Sequence, residues 1–92
     1  MSIAFAEKIV SEYVLHIDAV RHPVRARIVQ SLRPDDPQPY KWSISHYFAP
    51  AAERHLYIPP LEGAASESEA LQRLMNYAQA FTGHRIEENE DY

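Results

Sequence analysis

VRARIVQSLR, the stretch from Val24 to Arg33, alternates apolar and basic residues in the pattern of a β-strand with one buried face. Its apolar set is Val24, Ala26, Ile28 and Leu32, and its basic set is Arg25, Arg27 and Arg33. Successive side chains of a strand point to opposite faces of a sheet. The stretch therefore predicts a strand that buries its apolar side and presents arginines to solvent.

Two later stretches complete a predicted three-stranded antiparallel sheet. YKWSISHYF, residues 40–48, follows the loop PDDPQP, and a short third run over residues 55–58 ends at Pro59. If the buried face is shared, strand alternation places on it Trp42, Ile44, Phe48, Leu56 and Ile58. The outer face then carries, with the arginines, Lys41, Ser43, Ser45, Tyr47, His55 and Tyr57.

A helix is predicted after the sheet. Ser66 and Glu69 have the spacing of a capping box. The apolar stripe that follows predicts a helix through about Thr82, with Gly83 as a left-handed cap, and consists of Leu71, Leu74, Met75, Ala78 and Phe81. We expect Trp42, Ile44, Leu71, Leu74 and Phe81 to form the core that joins the helix to the sheet.

The N-terminal segment permits two interpretations. Ser2 can cap a helix, which we favour to about residue 12 or beyond, because apolar residues recur at helical spacing, namely Ile3, Ala6, Val10, Tyr13, Val14 and Ile17. Residues 13–20 also alternate as a strand would, and this choice stays open. The predicted class is α+β, in the order α-β-β-β-α, with both helices packed on one face of the sheet.

Composition limits the classes of function. A chain of 92 residues makes a single domain, with an acidic tail that we expect to be flexible from about residue 85. With no cysteine and only two glycines, the chain has neither a thiolate zinc site nor a glycine-rich phosphate loop. The five histidines lack metal-ligand spacing, and strand neighbours such as Ser45 and His46 should point to opposite faces. We therefore expect no enzyme, no catalytic residue, no metal and no cofactor.

Charge is distributed unevenly along the chain. Residues 19–61 carry six basic residues against three acids, while residues 62–92 carry seven acids against two basic residues. The outer sheet face is thus a candidate partner-binding surface, whose residues are Arg25, Arg27, Arg33, Lys41, Tyr47 and Tyr57. The same pattern also fits an ordinary solvated strand face.

As a whole, the chain resembles the small phage-encoded anti-CRISPR proteins directed at the type I-F surveillance complex. The resemblance lies in the basic strand VRARIVQSLR, the aromatic strand YKWSISHYF, the helix SESEALQRLMNYAQAF and the acidic tail, without an enzymatic motif. It implies a stoichiometric inhibitor that binds the multi-subunit CRISPR surveillance ribonucleoprotein and blocks hybridisation or docking of target DNA. The basic middle implies contact with an acidic protein surface or with the guide RNA.

A second hypothesis assigns the same face to a small nucleic-acid-binding or antitoxin-like regulatory module. The acidity of the whole chain favours the protein partner, because free nucleic acid would be repelled by most of the surface. The N-terminal residues show no basic leader followed by an apolar run. We expect a protein of the bacterial cytoplasm that is monomeric when free and binds no membrane.

Overall fold

A computed structural model describes residues 6–50, 55–60, 62–83 and 85–92. In chain order its elements are β1 (Glu7–Leu15), β2 (Val24–Ser31), β3 (Tyr40–Ile44), β4 (His46–Phe48), α1 (Glu67–Gln79) and β5 (Ile86–Glu88). β1, β2 and β3 form an antiparallel sheet in that order, and β4 pairs with β5 in a second sheet. The α+β class is confirmed, and a three-stranded antiparallel sheet is present, but its third strand is β1 and not residues 55–58. The predicted α-β-β-β-α order is wrong.

β2 is the central strand, and it has the predicted alternation. Val24, Ala26 and Ile28 are fully buried, while Arg25 is exposed on the opposite face. Leu32 was expected on the buried side but is 54% exposed. The strand ends at Ser31, so alternation no longer controls the direction of Leu32.

The predicted N-terminal helix is wrong over its described part, because residues 7–15 form β1. Ser2 and Ile3, its expected cap and first apolar position, lie outside the described residues. β1 pairs with β2 through a register shift between Ile9 and Ser11. This β-bulge lets Val10 pack against the buried cluster around Ile28.

The predicted strand over residues 40–48 is interrupted at Ser45. Its first part is β3 in the larger sheet, and its second part is β4, which pairs with β5 instead. The run at residues 55–58 forms a single bridge, between Tyr57 and Phe48, rather than a third strand. Without a strand register there, Ile58 is 60% exposed instead of buried.

α1 confirms the predicted helix start. Ser66 is the N-cap, and its hydroxyl accepts a hydrogen bond from the Glu69 amide at 3.2 Å. The helix ends at Gln79, earlier than predicted, and Ala80 caps it in the right-handed conformation with φ −85° and ψ −6°. Gly83 is therefore not a left-handed cap.

One core joins α1 to both sheets. Leu74, Tyr77 and Phe81 pack against Ile44 and Phe48, and the Phe48 and Phe81 ring centroids lie 4.7 Å apart. Trp42 and Leu71 border this core and are half-buried, so the predicted set meets as expected.

The C-terminal segment makes specific contacts with the rest of the chain, and the flexibility expected from about residue 85 stays a prediction. β5 pairs Phe48 with Ile86 and His46 with Glu88. Beyond it, the Asn89 amide donates to the Ser45 carbonyl at 2.8 Å, and the Asn89 side chain donates to the Ile44 carbonyl at 2.9 Å. The chain is thereby held beside the end of β3.

Candidate functional site

The outer face of the larger sheet carries half of the predicted partner-binding residues. Arg25 and Arg27 lie on β2, and Lys41 lies on β3 opposite Val29, so that all three side chains share one face. We call Arg25, Arg27 and Lys41 the basic face. Arg25 and Lys41 are exposed, and Arg27 is half-buried.

The contribution of β1 makes this face less basic than its arginines alone would suggest. Glu12 lies opposite Arg27, and Val14 lies opposite Arg25 with 57% of its surface exposed. An acidic and an apolar side chain therefore border the two arginines on the solvent side of the sheet.

The C-terminal segment covers Arg27. The Arg27 guanidinium carbon lies 4.4 Å from the centroid of the Tyr92 ring, and Nη2 donates to the main-chain oxygen of Tyr92 at 2.8 Å. A cation above an aromatic face is attracted by the ring quadrupole. Arg27 is thus engaged within the chain, whereas Arg25 and Lys41 present their charge to solvent.

The other three predicted residues lie elsewhere. Arg33 follows the end of β2 and is exposed in the connection to β3. Tyr47 lies in β4, where burial and the nearby charge of Asp91 raise the pKa of its hydroxyl. Tyr57 packs edge-on against Phe48, with ring centroids 5.9 Å apart. The structure does not bring the six residues together on one surface.

A second surface feature is a groove that was not predicted from the sequence. It consists of two adjoining cavities of about 390 and 630 Å³, both bordered by Trp42, Pro59 and Pro60. Tyr57 and Tyr77 line the smaller cavity, and Tyr47 lines the larger one. We call these two cavities the aromatic groove. Strand alternation predicts Trp42 to be a core residue and does not indicate that it also borders a groove. The one sequence feature that could have indicated the groove is the Pro59–Pro60 pair, which lies close to aromatic residues in the sequence.

The border of the aromatic groove is acidic. Four carboxylates line it, those of Glu62, Glu88, Glu90 and Asp91. Among the residues that line it, the basic one is Arg73, which is bound to the Glu69 carboxylate at 2.6 Å and to the Gly63 carbonyl at 3.0 Å. The negative charge of the C-terminal third thus accumulates beside exposed aromatic surface.

A group of polar side chains lies where β3 meets β4. The Ser45 hydroxyl is 2.7 Å from Nδ1 of His46, so the prediction that these neighbours point apart is wrong, because Ser45 occupies a bend. The His22 and His46 rings lie 4.7 Å apart. Burial lowers the pKa of His46, the nearby His22 lowers it further, and Glu88 raises it.

The Ser45 hydroxyl of this group has a second partner on β2. The Ser45 hydroxyl also accepts a hydrogen bond from the Arg25 amide at 2.9 Å, which holds it against β2. No set of three or more potential ligand side chains suited to a metal ion occurs within the described ranges. Nor does any described helix have the length and apolar character needed to cross a membrane.

Comparison of the chain with known protein families, with curated proteins and with solved structures finds no match.

Proposed function

We propose that this chain is a non-enzymatic binding protein that inhibits a CRISPR surveillance ribonucleoprotein by blocking the hybridisation or docking of target DNA. The observation that supports binding through the sheet is the basic face, where Arg25 and Lys41 project from paired strands into solvent. Arginine on a rigid scaffold is typical of recognition surfaces. The identity of the partner rests on the resemblance of the whole chain to small anti-CRISPR proteins.

The surroundings of the basic face favour a protein surface over naked nucleic acid as the main contact. Glu12 lies beside Arg27, and Val14 contributes exposed apolar surface next to Arg25. Phosphate binding gains from uninterrupted positive charge, whereas protein interfaces combine charged and apolar contacts. Guide RNA within the ribonucleoprotein is a secondary contact in this proposal.

The test is the double variant Arg25→Ala/Lys41→Ala. We expect it to keep the wild-type melting temperature, because exposed charges contribute little to folding, and to lose inhibition of target-DNA binding in a gel-shift assay with the type I-F complex. The matched control is Lys8→Ala/Arg21→Ala, which removes the same charge. Lys8 is exposed and pairs with Gln30 on the other face of the sheet, and Arg21 is exposed in the connection before β2.

Two results would contradict the proposal. One is wild-type protein that leaves target-DNA binding unchanged at stoichiometric excess over the complex. The other is tight binding to a naked single-stranded oligonucleotide, with an affinity that falls with salt at a slope of about −0.7 per phosphate contacted. The second result would support the nucleic-acid-binding module instead.

A further inference from the structure

The aromatic groove combines three properties that the proposed function does not use. Its floor is aromatic, its border is acidic, and its two cavities meet at Trp42 and the Pro59–Pro60 pair. We propose that the aromatic groove binds an arginine side chain presented by a segment of a partner protein. None of the residues that border this site belongs to the basic face. Its proposed occupant is a cation, whereas the basic face would contact an acidic surface.

Charge selects a cationic occupant. The larger cavity is bordered by Glu88, Glu90 and Asp91, and the smaller one by Glu62. The Arg73 guanidinium beside the smaller cavity is paired with Glu69 on the preceding turn of α1, which compensates its charge locally. A phosphate or carboxylate would be repelled here, and a neutral apolar segment would desolvate carboxylates without pairing them.

The aromatic floor selects arginine among cations. Trp42 is half-buried and Tyr57 is 46% exposed, so both offer ring surface to an occupant. A guanidinium is planar and weakly hydrated, and it stacks on such rings while donating paired hydrogen bonds to a carboxylate. A lysine ammonium is compact and strongly hydrated, and it gains less from the same surface.

The groove is organised by contacts inside the chain. The Tyr77 hydroxyl donates a hydrogen bond to the Tyr57 carbonyl, which ties the segment before Pro59 to α1. Burial raises the pKa of Tyr77, so this hydroxyl keeps its proton and remains a donor. On the other side, Asn89 donates hydrogen bonds to the Ile44 and Ser45 carbonyls, which hold the backbone beside Glu88, Glu90 and Asp91. An occupant therefore meets a site whose walls are already ordered.

The test uses the single tryptophan of the chain, Trp42, as a fluorescent reporter. The probe is a short glycine-spaced arginine peptide with blocked ends, and the control peptide replaces each arginine with citrulline, which is nearly isosteric and uncharged. We expect the arginine peptide to change Trp42 emission saturably and the citrulline peptide to leave the emission unchanged. A third peptide, with lysine in place of each arginine, should bind more weakly. Added salt should weaken the binding.

Variants locate the site. Glu88→Gln/Glu90→Gln/Asp91→Asn should weaken arginine-peptide binding about tenfold, because three exposed carboxylates that border the larger cavity lose their charge. The matched control, Glu7→Gln/Asp18→Asn/Asp35→Asn, removes the same charge from exposed positions outside the groove and should bind as wild type does. Isothermal titration calorimetry repeats the measurement without relying on fluorescence.

Equal binding of the citrulline peptide, an equal loss in both triple variants, or no binding at millimolar peptide would each overturn the proposal. The experiment contains no CRISPR component, so its outcome is independent of the proposed function.

Discussion

Arg27 and Tyr92 are in direct contact, although 65 positions separate them, through a ring contact of 4.4 Å and a hydrogen bond of 2.8 Å. The contact lays the end of the described chain across the outer face of the sheet. Because of this contact, Arg27 is partly covered, whereas Arg25 and Lys41, the other two cations of the basic face, are exposed.

We expect Tyr92→Ala to destabilise the fold by about 0.5–1 kcal/mol, because a partly exposed cation–π contact is lost while the main-chain hydrogen bond can persist. Tyr92→Phe keeps the ring and should behave as wild type. Urea unfolding of Arg27→Ala, Tyr92→Ala and the double variant measures the coupling. Strict additivity of the two single effects would show that the contact is not formed in solution.

Leu74→Ala should lower the free energy of unfolding by about 2–5 kcal/mol, because it leaves a cavity between α1 and the sheets. Leu74 is 0% exposed and belongs to the main core cluster. Gln72→Ala, at an exposed position of the same helix, is the control and should change stability by less than about 0.5 kcal/mol. A Leu74→Ala effect as small as that of the control would mean that α1 packs through another face.

Gly63→Ala should destabilise the fold because a Cβ at this position would overlap the main-chain carbonyl of Gln38. The two segments are held together there, since Tyr40 and Ala64 exchange backbone hydrogen bonds of 3.1 and 2.6 Å. We expect a loss of about 1–3 kcal/mol by thermal or chemical unfolding.

The paired control for that substitution is Gly83→Ala, where a Cβ would lie 3.3 Å from the Ala19 carbonyl oxygen and needs only a small shift. The cost at Gly83 should therefore be the smaller of the two. An equal or reversed order would contradict the close approach at Gln38.

The lowered pKa of His46 predicts stability that declines on acidification. Burial and His22 disfavour the charged ring in the folded state, while Glu88 partly offsets them. The unfolded chain, in which the histidine pKa is about 6.5, then binds the proton more readily than the folded protein does. This contribution is fully present above that value and is lost as the pH falls below it.

Thermal unfolding between about pH 7.5 and about pH 5.5 measures the effect in the range where histidines titrate. His46→Gln should show a smaller decline in melting temperature than wild type. His55→Gln removes an exposed histidine and is the control for loss of an imidazole. An unchanged decline in the His46→Gln variant would assign the pH dependence to other groups.

The elements that are determined by residues close together in the sequence could be predicted from it. The alternation of Val24, Ala26 and Ile28 identified β2, and the spacing of Ser66 and Glu69 identified the start of α1. Each signal depends on neighbouring residues and not on distant packing. The three cations of the basic face were predicted for the same reason.

The error in β1 has a structural cause. The bulge after Ile9 turns both Val10 and Ser11 toward the side of the sheet that α1 covers, since Val10 packs near Ile28 and Ser11 bonds Glu67 at 3.3 Å. The spacing from Val10 to the next apolar residue on that side, Tyr13, thereby becomes three, which imitates a helical repeat. Periodicity alone could not distinguish a bulged strand from a helix.

The aromatic groove could not be predicted from neighbouring residues, because contacts between residues far apart in the sequence form it. Tyr77 of α1 meets Trp42 of β3 with ring centroids 5.5 Å apart, and Tyr77 meets Tyr57 at 5.2 Å. Part of the acidic border belongs to β5 or directly follows it. This strand has only three residues, with the sequence IEE, which is too short to show an alternation of apolar and polar residues. Only the pairing of that strand with β4 shows where its charges lie.

The bulge in β1 also has a consequence for the free edge of the larger sheet. β1 is an outer strand of the three-stranded sheet, and a long regular outer strand is a template for edge-to-edge aggregation. The shift between Ile9 and Ser11 interrupts its regular spacing of donors and acceptors, and Glu12 adds charge nearby. We expect these two features to disfavour edge-to-edge pairing with a second molecule, so the irregularity that makes the strand resemble a helix in the sequence would also lower its tendency to aggregate.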